Sequence, residues 1–226
     1  MSSDTQDHIL LDEDFLLPAA PNSSGTVGAL GVISTGTPTG AAVVTPGSSG
    51  EVSFTLANTN EAERTGFSLL DKLVFDESKV RSIDAWLKIS ATLSAVEAFV
   101  FGLTGAGNAD FTALVGAMLT IDGATNPNKL NCRTKNSTLT VNQQSTFTLG
   151  TSIVRLTIDL QDRRDVKFYA GSEADGSYRR LLPNPTAKFN FNDYSGGLQP
   201  YAHLYKASGT TTTAFTVDRV RVRGIR

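Results

Sequence analysis

Residues 83–93 read Ile83-Asp84-Ala85-Trp86-Leu87-Lys88-Ile89-Ser90-Ala91-Thr92-Leu93. Ile83, Ala85, Leu87, Ile89, Ala91 and Leu93 are apolar, and Asp84, Trp86, Lys88, Ser90 and Thr92 stand between them. A repeat of two is the period of a strand with one face in a core, because successive side chains point to opposite faces. The same alternation returns at Val52/Phe54/Leu56, Val154/Leu156/Ile158/Leu160, Val166/Phe168 and Leu198/Pro200/Ala202/Leu204. Helical spacing is scarce: only Leu69, Leu70 and Leu73, within residues 67–75, suggest a helical turn or two. Turn dipeptides such as Asp122-Gly123 and Asp175-Gly176 punctuate the alternating runs. Many short strands joined by turns predict an all-β antiparallel sandwich of roughly ten or more strands.

Two stretches depart from simple alternation. In residues 96–103, Val96, Ala98 and Val100 make one face apolar while Phe99, Phe101 and Leu103 make the other. Such a strand is covered on both sides, or one face meets a partner. Near the end, Phe215 and Val217 are two apart, as are Val220 and Val222, but Val217 and Val220 are three apart. All four stay inside only if one residue is inserted, so a β-bulge is predicted near Asp218 and Arg219. Arg219 or Arg221, then Arg223, would follow on the outside, where arginines protect an exposed strand against edge-to-edge pairing. Residues 18–50 are rich in Ala, Gly, Ser, Thr and Pro. They read either as weak edge strands joined by long loops or as an extended arm on a partner surface.

The 226 residues are 40% hydrophobic and 19% charged, enough apolar content for one large domain with a true core. A net charge of -2 supplies no excess of cations for a phosphate backbone, so no nucleic-acid partner is expected. The polar start lacks the basic and apolar regions of a secretory signal, and no run reaches the roughly 18 apolar residues of a spanning helix. One cysteine, Cys132, excludes an intrachain disulfide and a multi-cysteine zinc site. It reads as a small, partly buried residue.

Glycoside hydrolysis needs two carboxylates facing one cleft, which on a strand means acids at i and i+2 or i+4. Glu61 and Glu63 are two apart but lie in a polar, turn-like segment. Asp159, Asp162 and Asp165 cross a predicted hairpin among Arg163 and Arg164 and read as a solvated turn. Asp12, Glu13 and Asp14 alternate faces and cannot all converge on one cation. His8 lies near the start of the chain. His203 lies between two tyrosines of an alternating run, and no nucleophile-elbow or phosphate-loop motif is present. No catalytic residue, metal site or cofactor is assigned.

Ile9-Leu10-Leu11-Asp12-Glu13-Asp14-Phe15 and Phe215-Thr216-Val217-Asp218-Arg219-Val220-Arg221-Val222 resemble the terminal strands of concanavalin A-like jelly rolls, whose two ends lie side by side. Asp165-Val166-Lys167-Phe168-Tyr169, Leu198-Gln199-Pro200-Tyr201 and Lys206-Ala207-Ser208-Gly209-Thr210 resemble a group of bacteriophage virion proteins that carry such a jelly roll on the outside of the particle. The resemblance covers residues 83–222 and the opening strand. It implies a flexible stretch 1–8 and a single jelly-roll domain over 9–226, including the segment 18–50, with terminal strands adjacent. The implied role is that of a non-enzymatic structural virion protein, decorating or cementing a capsid assembled in the host cytoplasm. Its partners would be the major capsid protein, other virion proteins and further copies of itself, without membrane contact.

A reading from another class is a carbohydrate-binding module, and a glycoside hydrolase ranks third. Tyr201, His203 and Tyr205 share the face opposite Leu198, Ala202 and Leu204, and Trp86 points away from the apolar row of its own strand. If the two strands belong to one sheet, these aromatic residues would line a surface that stacks sugar rings. Otherwise they pack under a loop or at a subunit contact.

Overall fold

The computed structural model describes residues 7–15, 26–36, 43–44, 50–72, 74–108, 110–181, 183, 186 and 188–225. Its strands form two sheets. One runs β15 (Arg179–Arg180), β14 (Lys167–Gly171), β13 (Val154–Asp159), β8 (Val80–Ile89), β17 (Ala214–Gly224), β5 (Val52–Thr55), β4 (Val43–Val44), with β1 (His8–Glu13) also on β17. The other runs β12 (Thr140–Thr148), β11 (Lys129–Lys135), β10 (Gly116–Asp122), β9 (Glu97–Thr104), β16 (Gly197–Lys206), β6 (Glu63–Ser68), β3 (Leu30–Thr35), β2 (Thr26–Val27), with β7 (Phe75–Asp76) also on β16. Every pairing is antiparallel.

The alternating apolar rows meet between the sheets. Ile83, Ala85, Leu87 and Ile89 of β8 face Phe99, Phe101 and Leu103 of β9 and Ala202 and Leu204 of β16, all fully buried in one cluster. Phe54 and Phe215 stack at 4.8 Å between centroids, and Phe67 and Phe99 tilt against Phe215. Aromatic pairs in offset and tilted arrangements fill such a core with specific geometry. The run 83–93 leaves the sheet after Ile89, yet Leu93 returns to the core.

The last strand carries its bulge where the spacing of valines demands it. The register of β17 on β8 shifts between Val217 and Arg219, so Val217, Val220 and Val222 all stay inside. Its arginines do not guard an edge, which corrects the sequence reading. β17 lies inside its sheet, with β8 on one side and β5 and β1 on the other. Arg219 and Arg221 instead lie over the Trp86 ring and pair with Asp12. β1 runs antiparallel to β17 from His8 opposite Gly224 to Glu13 opposite Val220, so the terminal strands are adjacent.

The described residues of 67–75 form no helix. β6 runs through Phe67 to Ser68, and Leu70 and Asp71 adopt left-handed backbone angles, φ 53° and 60°. A helix cannot continue through that conformation. Within 18–50, β3 pairs with β6 and β4 with β5, and Leu30 is buried in the main core. Of the segment 18–50 read as edge strands or an extended arm, residues 18–25, 37–42 and 45–49 lie outside the described residues, as do residues 1–6.

Candidate functional site

The outward residues of β16 are Gln199, Tyr201, His203 and Tyr205. They lie opposite Thr104, Gly102, Val100 and Ala98 of β9. On the other side, His203 is opposite Gly66 and Tyr205 opposite Arg64 of β6. This outer face is covered by protein over part of its area. Val100, Met118, Tyr201, Ile33 and Leu114 form a second apolar cluster, joined by Phe111. The connection between β9 and β10 is tied down over it: Arg133 donates to the carbonyls of Phe111 (2.9 Å) and Thr112 (2.5 Å), and Lys135 to that of Thr112 (2.8 Å). The strand apolar on both faces is therefore covered on both sides within one chain.

Tyr201 and His203 are fully buried and Tyr205 is half-buried. The Tyr201 hydroxyl donates to the Asn108 carbonyl (3.0 Å) and contacts His203 Nδ1 at 2.8 Å. With its one proton committed to Asn108, the hydroxyl accepts from His203, so Nδ1 carries the hydrogen and Nε2 is left as a buried acceptor without a partner. Burial, aided by the Arg64 charge, lowers the His203 pKa to about 3 and keeps the ring neutral.

Beside this pair lies an open cleft of about 230 Å³. Ile33 and Leu70 give it apolar walls. Ser34, Ser68, Arg64 and Asp71 add polar groups, and Tyr201 closes the floor. Gln199, wholly buried, builds the Asp71 wall. Its Oε1 accepts from the Leu69 and Asp71 amides at 3.0 and 3.2 Å, while its Nε2 donates to Asp71 Oδ1 and the Gly105 carbonyl, both at 2.8 Å. The Gly107 amide donates to the same Asp71 oxygen at 2.6 Å. These bonds hold the left-handed turn at Leu70 and Asp71. Arg64 Nη1 reaches the Tyr201 hydroxyl at 3.4 Å, and Arg64 Nε is buried with no partner. The cleft thus offers a rigid carboxylate, a guanidinium with an unused donor and apolar flanks.

Trp86 is not part of this surface. It lies on β8, in the other sheet, and its outward ring is overlaid by Arg155, Arg219 and Arg221 at 5.2, 5.8 and 5.6 Å. Arg155 also pairs with Asp84 at 2.8 Å, and Asp12 is held below the usual carboxylate range by its bond from Arg219. Of the four aromatic candidates, the structure brings together Tyr201, His203 and Tyr205 and separates Trp86. Arg64, Asp71 and Gln199 escaped the sequence reading. Alternation marks Gln199 as outward, but only the fold shows what it holds.

The outward strand positions around the cleft carry no carboxylate pair: Arg64, Gly66 and Ser68 on β6, Gln199, Tyr201, His203 and Tyr205 on β16, and Ala98, Val100, Gly102 and Thr104 on β9. Glu63 is fully buried and pairs with Lys206 at 3.3 Å. Asp159 and Asp162 cap the exposed turn between β13 and β14. Cys132 is fully buried in the core, and burial pushes its thiol up. Among the described residues, no group of three or more His, Cys, Asp or Glu is placed to hold a metal ion.

No protein-family model matches the chain, and no curated protein matches it. Solved structures do. A protein of unknown function from Shewanella oneidensis MR-1 is 14% identical with a TM-score of 0.64, covering 100% of this chain and 89% of its own. The carbohydrate recognition domain of Emp47p is 12% identical, with a TM-score of 0.56 over 94% of this chain and 96% of that one. SCLam, a non-specific endo-β-1,3(4)-glucanase from family GH16, is 9% identical, with a TM-score of 0.61 over 97% and 92%. The fold is a concanavalin A-like jelly roll. At such identities the likeness carries the fold alone, and among these jelly rolls are both a binding domain and a hydrolase.

Proposed function

We propose that this protein is a non-hydrolytic carbohydrate-binding module whose site is the cleft on the outer face of the nine-stranded sheet. The observation that carries the reading is the buried Arg64 Nε without a partner in a cleft that also presents Asp71. An unsatisfied buried donor is costly, and a ligand oxygen would satisfy it. A sugar offers vicinal hydroxyls that both accept from a guanidinium and donate to a carboxylate, and its C–H face suits Ile33 and Leu70. Small-molecule sites combine apolar walls with a few convergent polar groups in this way.

Binding is favoured over hydrolysis because hydrolysis requires paired carboxylates on one cleft, and the strand positions around this cleft carry none. The virion role implied by the sequence resemblance draws no support from the neighbours described above, one of which is a carbohydrate recognition domain. Isothermal titration with methyl α-mannoside and a mixed-linkage glucan tetrasaccharide tests it. Arg64→Ala and Asp71→Asn should each weaken binding at least tenfold while the melting transition persists. Unchanged affinity in both variants would refute the assignment.

A further inference from the structure

The two sheets are joined at one end by a pair of neighbouring crossings. β8 and β17 are partners in one sheet, and β9 and β16 are partners in the other. The link from β8 to β9 and the link from β16 to β17 must therefore lie side by side. Between them is a cleft of about 380 Å³, lined by Ser90, Thr92, Ser94 and Glu97 from the first link and Thr210–Thr213 from the second.

Three oxygens of its lining residues are buried and have no partner: Glu97 Oε1, Ser94 Oγ and Thr211 Oγ1. Glu97 is 2% exposed. Its other oxygen, Oε2, accepts from the Ser94 amide at 2.7 Å, which fixes the carboxylate in the turn. Lys206, its partner in register, does not neutralise it, because the ammonium is engaged by the Ala57 and Thr59 carbonyls and Glu63. Buried polar atoms in folded proteins are nearly always satisfied, so three orphans at one cleft indicate a missing partner.

We infer that this cleft is a second glycan site, in which Glu97, Ser94 and Thr211 receive the hydroxyls of a sugar ring. The inference rests on the carbohydrate-binding reading for the class of ligand, but on different residues. A carboxylate accepts from two neighbouring hydroxyls, and serine and threonine hydroxyls both donate and accept, which matches a polyol. The volume lies within the roughly 300–1,000 Å³ of small-molecule sites. The threonine methyls supply apolar contact for ring C–H groups.

The test is a titration of the 15N-labelled full chain with methyl α-mannoside and with the mixed-linkage glucan tetrasaccharide, followed amide by amide. The expected result is saturable shifts in residues 90–97 and 210–213, with affinity there reduced at least tenfold by Glu97→Gln and by Thr211→Val. Shifts around Arg64 and Asp71 should keep their affinity in both variants. Shifts confined to the Arg64 cleft would overturn the second site and leave the proposed function standing. No shifts with either sugar would overturn both. Shifts at residues 90–97 produced by KCl or CaCl2, and not by sugar, would make the end cleft a cation site and overturn the inference. Thr211→Val keeps the test decisive if Glu97→Gln does not fold.

Discussion

Lys206 is a fully buried cation, its ammonium 2.7 and 2.8 Å from the Ala57 and Thr59 carbonyls and 3.3 Å from Glu63. Removing one member of such a pair leaves the other charge uncompensated, at a cost of about 3–5 kcal/mol. Lys206→Met should lower the urea-unfolding free energy by that amount, and adding Glu63→Gln should recover part of it. A loss under 1 kcal/mol from the single change would show that the pair is not buried as described. His203 gives a pH signature. Its folded pKa, about 3, lies below the roughly 6.5 of an unfolded chain, so the unfolded state takes up the proton first. Its contribution is fully present above pH 6.5 and is lost as pH falls towards 3. Between pH 6.5 and 4.5, stability should fall by up to about 1.4 kcal/mol per pH unit, and His203→Gln should flatten that slope. An equally steep slope in the variant would place the titration elsewhere.

The element that shapes the proposed binding cleft is the turn after β6, held by Gln199. Gln199→Ala strips partners from the Leu69 and Asp71 amides and the Gly105 carbonyl. A loss of about 2–3 kcal/mol is expected, together with weaker sugar binding, although Gln199 only positions Asp71. Wild-type affinity in that variant would mean that the turn's geometry does not matter. The bulge makes a sharper prediction. Deleting Asp218 takes out the inserted residue, so Phe215, Val217, Val220 and Val222 fall into strict alternation and all four stay inside. The near-UV signature of Trp86 under its arginines should persist; a deletion that abolishes it would contradict the register. The bulge and the strand faces were legible because burial imposes a period on sequence. The turn was not, since Leu69, Leu70 and Leu73 imitate helical spacing and nothing local reports the left-handed angles at Leu70 and Asp71. Whether Trp86 and Tyr201 share a sheet was not legible for a related reason. Alternation gives a residue's face within its strand, while the sheet is fixed by pairings between distant segments.

At the scale of the whole molecule, the terminal strands pair within one sheet and the crossings lie side by side at one end. This leaves the outer face of the other sheet to be part covered and part open. Val100, Met118 and Leu114 fill the covered part, and Arg64 and Asp71 line the open part. Hydrolysis of a glycan would need a pair of carboxylates at this cleft, and the outward positions of β16 carry Gln199, Tyr201, His203 and Tyr205 instead. The most direct measurement is a glycan array of the labelled full chain, with Arg64→Ala run in parallel and bound glucan spots assayed for new reducing ends. A discrete set of glycans retained by the wild type, lost by the variant and left uncleaved is the predicted result. Retention of no glycan, or retention accompanied by new reducing ends, would contradict it.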